Sequence, residues 1–248
     1  MITIKSKSEI EKMRLACKIT GDVLKELEKH IKPGVTTKQL DKIALNYIVS
    51  RGAKPSFLNY NGFPGSICAS RNDEVVHGIP STNVKLSEGD IISIDVGAYI
   101  DGFHGDAART FPVGRVSDEA MRLIKVTKES FFEGIKYAKH GGKLGDISAA
   151  IQEHVEKNGF SVVRDLVGHG IGKNLHEDPN VPNFGKAGKG VKLAAGMTLA
   201  IEPMVNAGEY DVCVLEDDWT VVTEDGSLSA HYENTILITK DGCEILTL

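Results

Sequence analysis

The hydrophobic and polar positions fall into two similar runs. A capping-box spacing, Ser6 or Ser8 with Glu9 or Glu11, opens a long helix whose apolar face is Ile10, Met13, Cys17, Leu24 and Leu27. The pattern predicts its stop near Pro33-Gly34. The box Thr36-x-x-Gln39 starts a second helix, carrying Leu40, Ile43, Ala44, Tyr47 and Ile48 and ending at Gly52. A loop rich in Gly, Pro and aromatic residues runs from Pro55 to Gly65, followed by a strand-like stretch around Ile67 and Cys68 and the segment VVHGIP. Helices are predicted again from Ser117 to about Lys139, stopping at Gly141-Gly142, and from about Asp146 to Lys157, stopping at Asn158-Gly159.

The stretch DIISIDVGAYIDGFHGDAARTF, Asp90 to Phe111, organises the first run. Ile91, Ile92, Ile94 and Val96 read as a buried strand with Asp95 in its middle, and a second apolar element closes with Phe111. Asp101-Gly102 between them is the dipeptide that a type I′ hairpin turn prefers. Centring the turn there pairs 100 with 103 and sets Asp106 opposite Gly97. Asp106 then lies diagonal to Asp95 on one face, on the order of 5–8 Å away. Two carboxylates on a buried ribbon repel and are costly to desolvate, and a shared cation neutralises them most directly. Asp101 is read as the turn residue alone.

A single ungapped shift of 107 positions lays Gly34 on Gly141, Gly52 on Gly159, Gly89 on Gly196, Leu40 on Ile147 and Ile48 on Val155. It also aligns VKLSEGDIISID (84–95) with VKLAAGMTLAIE (191–202), so Glu202 falls on Asp95. The expectation is one ααβ-rich unit used twice, approximately 6–115 and 116–248, within a single domain spanning 1–248. A pseudo-twofold axis would bring the two equivalent strands together at the centre, with four helices outside. The second half supplies more ligands: Glu202 after Leu199 and Ile201, Glu233 before Ile236, Leu237 and Ile238, and His169 in LVGHGIG. Asp95, Asp106, Glu202, Glu233 and His169 form an oxygen-rich set, suited to two divalent ions about 3.5–4 Å apart, of the Mn, Fe, Co or Zn kind.

Composition narrows the class. The 248 residues are 41% hydrophobic and 25% charged, as in an ordinary globular protein, and the net charge is −5. Without a long basic run, nucleic acid is not expected as a specific ligand, which leaves room for a local basic patch facing a ribosome. No stretch approaches the roughly 18–20 apolar residues of a membrane span, and MITIKSKSEIEKM has no signal-peptide core. Cys17, Cys68, Cys213 and Cys243 form no C-x-x-C pair, which suits a reducing cytosol and a cytoplasmic location. GHGIG lacks the full phosphate-loop pattern, and HEDP (176–179) lacks the second His of a zinc-protease H-E-x-x-H. His30, His104, His140, His154 and His231 gain no role from sequence. Trp219, the only Trp, reads on its own as core.

The stretches NDEVVHGIP (72–80), IDVGAYIDGFHGDAARTF (94–111), LVGHGIGKNLHEDPNVPNFG (166–185), GMTLAIEPM (196–204) and AHYENTILIT (230–239) together resemble those of the type I methionine aminopeptidases, in the minimal bacterial-type form. The resemblance implies an α/β (α+β) pita-bread fold, the creatinase/aminopeptidase fold, with duplicated halves around a curved antiparallel sheet. It implies a metal-dependent hydrolase that removes the initiator methionine of nascent chains, prefers a small second residue, and works as a monomer in transient contact with the ribosome. It assigns Asp106 and Glu233 to both metals, Asp95 to one, and His169 and Glu202 to the other, with Glu202 also moving a proton. His77 resembles the residue that contacts the scissile amide, and His176 the one that stabilises the oxyanion. The methionine pocket would be Tyr60, Phe63, Cys68, Leu175 and Trp219, with Phe57 nearby. Leu175 stands at a position where aromatic residues also occur in relatives. Two other readings stand beside this one: an X-Pro aminopeptidase or prolidase, and a non-catalytic peptide-binding module. The chain has no room for the helical insertion of type II enzymes, and no separate N-terminal domain of the X-Pro peptidase kind is recognisable.

Overall fold

The computed structural model describes residues 1–248. Ser6 and Glu9 form the first capping box, opening helix α1 (Lys7–Glu28), and Thr36 and Gln39 open α2 (Thr37–Ser50). The second pair is α3 (Asp118–Ile135), capped by Ser117, and α4 (Leu144–Lys157). α1 stops five residues short of Pro33. The backbone of Gly34 and Val35 is engaged elsewhere: Gly34 N–H donates to Leu86 O and Leu86 N–H donates to Val35 O, both at 2.8 Å. The same pairing recurs 107 positions later, where Gly141 N–H reaches Leu193 O at 2.9 Å and Leu193 N–H reaches Gly142 O at 2.8 Å. Each half thus ties the turn between its two helices to the loop that leads into its central strand.

The first hairpin pairs Ile91–Ile100 with Phe103–Pro112, in the register set by the turn: Ile100 faces Phe103, Gly97 faces Asp106 and Asp95 faces Ala108. Asp101 (φ 53°) and Gly102 (φ 85°) both hold the positive φ that a type I′ turn demands. Ile67–Arg71 pairs along the other edge of Ile91–Ile100. In the second half Thr198–Ile201 lies between Asn234–Ile238 and Gly168–Gly170, and Glu177–Val181 closes the edge of that sheet. Every strand pair is antiparallel.

The equivalent strands Ile91–Ile100 and Thr198–Ile201 do not meet at the centre. Their hairpin partners do. Thr235 Oγ1 accepts from Asp106 N–H at 3.1 Å and donates to Asp106 O at 2.9 Å, while Glu233 N–H donates to Ala108 O at 2.9 Å. Asp106 and Glu233 are therefore on the seam, with Asp95 and Glu202 one strand out on either side. This places the four carboxylates across a join that each half alone lacks.

The helices cover the opposite face of the sheets. α1 and α2 pack Val23, Leu24, Leu27, Leu40, Ala44 and Ile48 on Ile92, Ile94 and Val96, and α3 and α4 pack Leu123, Phe131, Ile147 and Ile151 on Leu199, Ile201 and Ile236. The contact of α1 is closest at Gly105, where a Cβ would lie 2.7 Å from both Cα and N of Cys17. No helix is long and apolar enough to cross a membrane.

Candidate active site

The candidate metal ligands converge on the face of the seam opposite the helices. One ligand atom from each of Asp106, His169 and Glu233 lies within 4.8 Å of the others, and all three residues are buried. His169 Nε2 is 3.8 Å from Asp106 Oδ2 and 3.6 Å from Glu202 Oε1. His169 Nδ1 lies 2.8 Å from Gly170 O, to which an Nδ1–H donates, so the Nε2 lone pair is left facing the carboxylates. Asp95, on the strand next to Asp106, completes the group.

The electrostatics are those of negative charge without a counter-charge. Burial raises the Asp95 carboxyl to about 7 despite hydrogen bonds to Asp106 and Glu233. Burial also pushes Asp106 well up, with the charges of Glu233 and Asp95 adding to it. Glu202 and Glu233 move the same way, first from burial, then from neighbouring carboxylates. His169 is pushed down to about 3, chiefly by burial, so it is a neutral imidazole near pH 7.

These residues fit a resident cation. Asp95 Oδ1, Asp106 Oδ1 and Glu233 Oε1 are all buried and have no hydrogen-bond partner. Orphaned buried carboxylate oxygens are costly, and a divalent ion satisfies several at once. The donors are hard oxygens plus one imidazole, a set that first-row divalent metals take.

A cavity of about 370 Å³ opens above this centre. Its wall includes every residue singled out by sequence: Phe57, Tyr60, Phe63, Cys68, His77, Leu175, His176 and Trp219, with Asp95, Asp106, His169, Glu202 and Glu233 at its base. Phe63 and Trp219 meet edge to face at 5.1 Å, and Leu175 and Cys68 are buried beside them. Trp219 is thus a pocket wall rather than core alone. His176 stacks edge-on to His169 at 4.3 Å, and its Nδ1 is 2.8 Å from the Tyr60 hydroxyl. The loop bearing His176 is anchored by a buried ion pair, Lys5 Nζ to Glu177 Oε2 at 2.8 Å, with Thr3 Oγ1 donating to the same oxygen at 2.6 Å. His77 holds φ 60°, unusual for a residue with a Cβ. The backbone bond of Ala69 N–H to Gly78 O (2.9 Å) and that of Gly78 N–H to Ser70 Oγ (3.1 Å) fix it there.

Asn61, Val76, Asp165, Leu166, Val167 and Met204 also line the cavity and were not singled out by sequence. Leu166, Val167 and Met204 flank the His169 and Glu202 motifs, which was the available signal. His231, given no role above, has Nε2 3.8 Å from Glu202 Oε2.

Residues 11–240 match the profile of metallopeptidase family M24. A methionine aminopeptidase of Clostridium acetobutylicum is 60% identical over 248 residues, covering 100% of this chain and 99% of that protein. The chain belongs to metallopeptidase family M24, among the type I methionine aminopeptidases. The crystal structure of methionine aminopeptidase from Thermotoga maritima superposes on it with a TM-score of 0.98 at 51% identity, covering 100% of this chain and 99% of that one. A prolidase from Pyrococcus furiosus shares the M24 fold, with a TM-score of 0.80 at 23% identity over 99% of this chain and 65% of that one. The likeness to that prolidase is one of fold.

Proposed function

We propose that Asp95, Asp106, His169, Glu202 and Glu233 hold two divalent cations at the floor of the cavity and that the residues above them carry out peptide hydrolysis. The chain is a methionyl aminopeptidase and removes the initiator methionine. The observation that carries the proposal is the cluster of buried carboxylates with orphaned oxygens beneath an apolar, sulfur-lined cavity. In this reading Asp106 and Glu233, the two seam residues, hold both ions, Asp95 holds one, and His169 and Glu202 hold the other. When bound, the cations lower the pKa of a water toward about 7 and polarise the scissile carbonyl.

The chain's own groups do the rest. Glu202 accepts a proton from the attacking water and returns it to the leaving amine, since one carboxylate can serve both transfers when it reaches both atoms. His176 donates to the carbonyl oxygen as charge develops there, and the Tyr60 hydroxyl holds its ring through Nδ1. His77 positions the scissile amide. Phe63, Cys68, Leu175, Trp219 and Tyr60 receive the methionine side chain, for which aromatic faces and a sulfur are good partners. A small second residue is preferred, as the likeness to the type I enzymes implies.

We further read 1–248 as one catalytic domain with an internal repeat, supported by the backbone pairings shared at an offset of 107. The partners are then the N-terminal methionine of nascent peptides and, transiently, the ribosome. The protein is monomeric and cytoplasmic. The test is methionine release from Met-Ala-Ser by metal-stripped protein, with Mn, Fe, Co or Zn returned one at a time. Release that depends on the added ion, with Ala-Pro-Ala left intact, is expected. No release with any ion from a folded protein would overturn the proposed centre.

A further inference from the structure

His231 has no part in the roles above, yet its placement is specific. It is 1% exposed and its Nε2 has no hydrogen-bond partner. The one carboxylate near that nitrogen is Glu202, with Oε2 at 3.8 Å. The other oxygen of Glu202 faces His169 Nε2 at 3.6 Å. The carboxylate therefore lies between two imidazoles in different settings. His169 is also 3.8 Å from Asp106, within the cation-binding cluster. No other carboxylate oxygen lies within 4.0 Å of the His231 ring nitrogens.

The backbone holding His231 is rigid. Its N–H donates to Thr110 Oγ1 at 2.8 Å, and that hydroxyl donates to His231 O at 2.9 Å. Its strand, Ser229–His231, pairs with Met204–Asn206, with His231 facing Met204, two residues beyond Glu202. The imidazole is thus aimed at Glu202 by the strand pairing that follows Glu202 in the chain. His231 also borders a cavity of about 330 Å³ between α1 and α3.

We propose that His231 is a positioning residue whose Nε2–H holds the second oxygen of Glu202, leaving the first turned toward the cation-binding cluster. A carboxylate that is both ligand and proton carrier has two oxygens with different tasks, and a donor on one of them fixes its rotation. The present 3.8 Å is longer than a made hydrogen bond. Hydrogen bonds to a group that moves protons are often long without substrate and tighten in the substrate complex. The inference rests on the role proposed for Glu202.

Two substitutions separate the nitrogen from the ring. In His231→Gln the amide nitrogen takes the place of Nε2, whereas in His231→Asn it takes the place of Nδ1. Mn is titrated calorimetrically into the stripped full-length proteins, and kcat and KM are measured on Met-Ala-Ser with thermal midpoints as the check on folding. His231→Asn should weaken Mn binding and lower kcat by about 10–100-fold, with KM changed by less than about threefold. His231→Gln should stay within about threefold of the parent in both. Equal behaviour of the two variants, whether impaired or not, would overturn the proposal. If His231→Asn fails to fold, nitrogen NMR of the parent decides: an Nε2–H tautomer supports the assignment and an Nδ1–H tautomer overturns it. A parent protein that neither binds Mn nor releases methionine would instead overturn the two-cation reading.

Discussion

Loading the metal-stripped protein with a cation must expel protons. With its carboxyl raised to about 7, Asp95 is about three-quarters protonated at pH 6.5 and about one-tenth at pH 8.0. A cation takes only the ionised form. Asp95 alone therefore raises the apparent affinity about fourfold between those two pH values. Asp106, Glu202 and Glu233 are shifted upward as well, so they act in the same direction, each adding at most about tenfold per pH unit while it remains protonated. His169, pushed down to about 3, is already neutral and releases nothing. Because the carboxylates share one cluster, the protons leave as a group rather than residue by residue. The assay is calorimetric titration of Mn into stripped protein at pH 6.5 and 8.0, each in two buffers of different ionisation enthalpy, which yields affinity and proton count together. Affinity rising at least about fourfold, with roughly one or more protons released at pH 6.5, is expected. Unchanged affinity with no proton release would show that the carboxylates ionise freely without metal, and the argument from burial would fail.

Stability carries the same signature. A carboxyl raised in the folded state contributes stability that is complete below its unfolded pKa of about 4 and is lost as pH rises through the folded value. For Asp95 the loss approaches about 4 kcal/mol once ionisation is complete. His169 and His231 are depressed, so their contribution is complete above about pH 6.5 and declines as pH falls. Above pH 6.5 the carboxylates act alone, and added Mn should restore the stability that they remove.

Three substitutions test other parts of the argument. Glu202→Gln should keep the fold and lose about 10²–10⁴ in kcat on Met-Ala-Ser, and near-normal turnover would remove Glu202 from proton transfer. Lys5→Ala strands Glu177 in a buried position, so urea denaturation should show a loss of about 3 kcal/mol, partly recovered in the Lys5→Ala/Glu177→Gln pair. Gly105→Ala drives a methyl into the backbone of α1 at Cys17 and should cost about 2–3 kcal/mol by the same assay. A neutral result there would contradict the close helix-on-hairpin contact.

Much of this was legible in the chain because local rules decided it. Asp101-Gly102 fixed the hairpin register through the positive φ that both residues need, and that register set Asp106 opposite Gly97. The capping box at Thr36 located one helix start to the residue, and the choice of Ser6 or Ser8 located the other to within two. What sequence missed depends on pairings between distant segments. The end of α1 is set by Leu86, more than fifty residues on, which claims the backbone of Gly34 and Val35. The meeting of Phe103–Pro112 with the 231–235 segment, in place of the two equivalent strands, rests on Thr235 reaching Asp106. His231 was passed over for the same reason: only the pairing of Met204 with His231 brings it to Glu202. The candidate ligands that meet at the seam were visible because charged residues inside apolar runs need an explanation. Asn61 and Val76 raise no such question.

The backbone of His77 has a consequence for selection. A residue with a Cβ at φ 60° costs the folded state about 1 kcal/mol or more, and glycine in its place would not. Selection for heat resistance alone would therefore favour His77→Gly and remove an imidazole from the mouth of the cavity. At this position relief of the backbone and retention of a ring at the cavity exclude each other, so any stability gained by His77→Gly comes with loss of that ring.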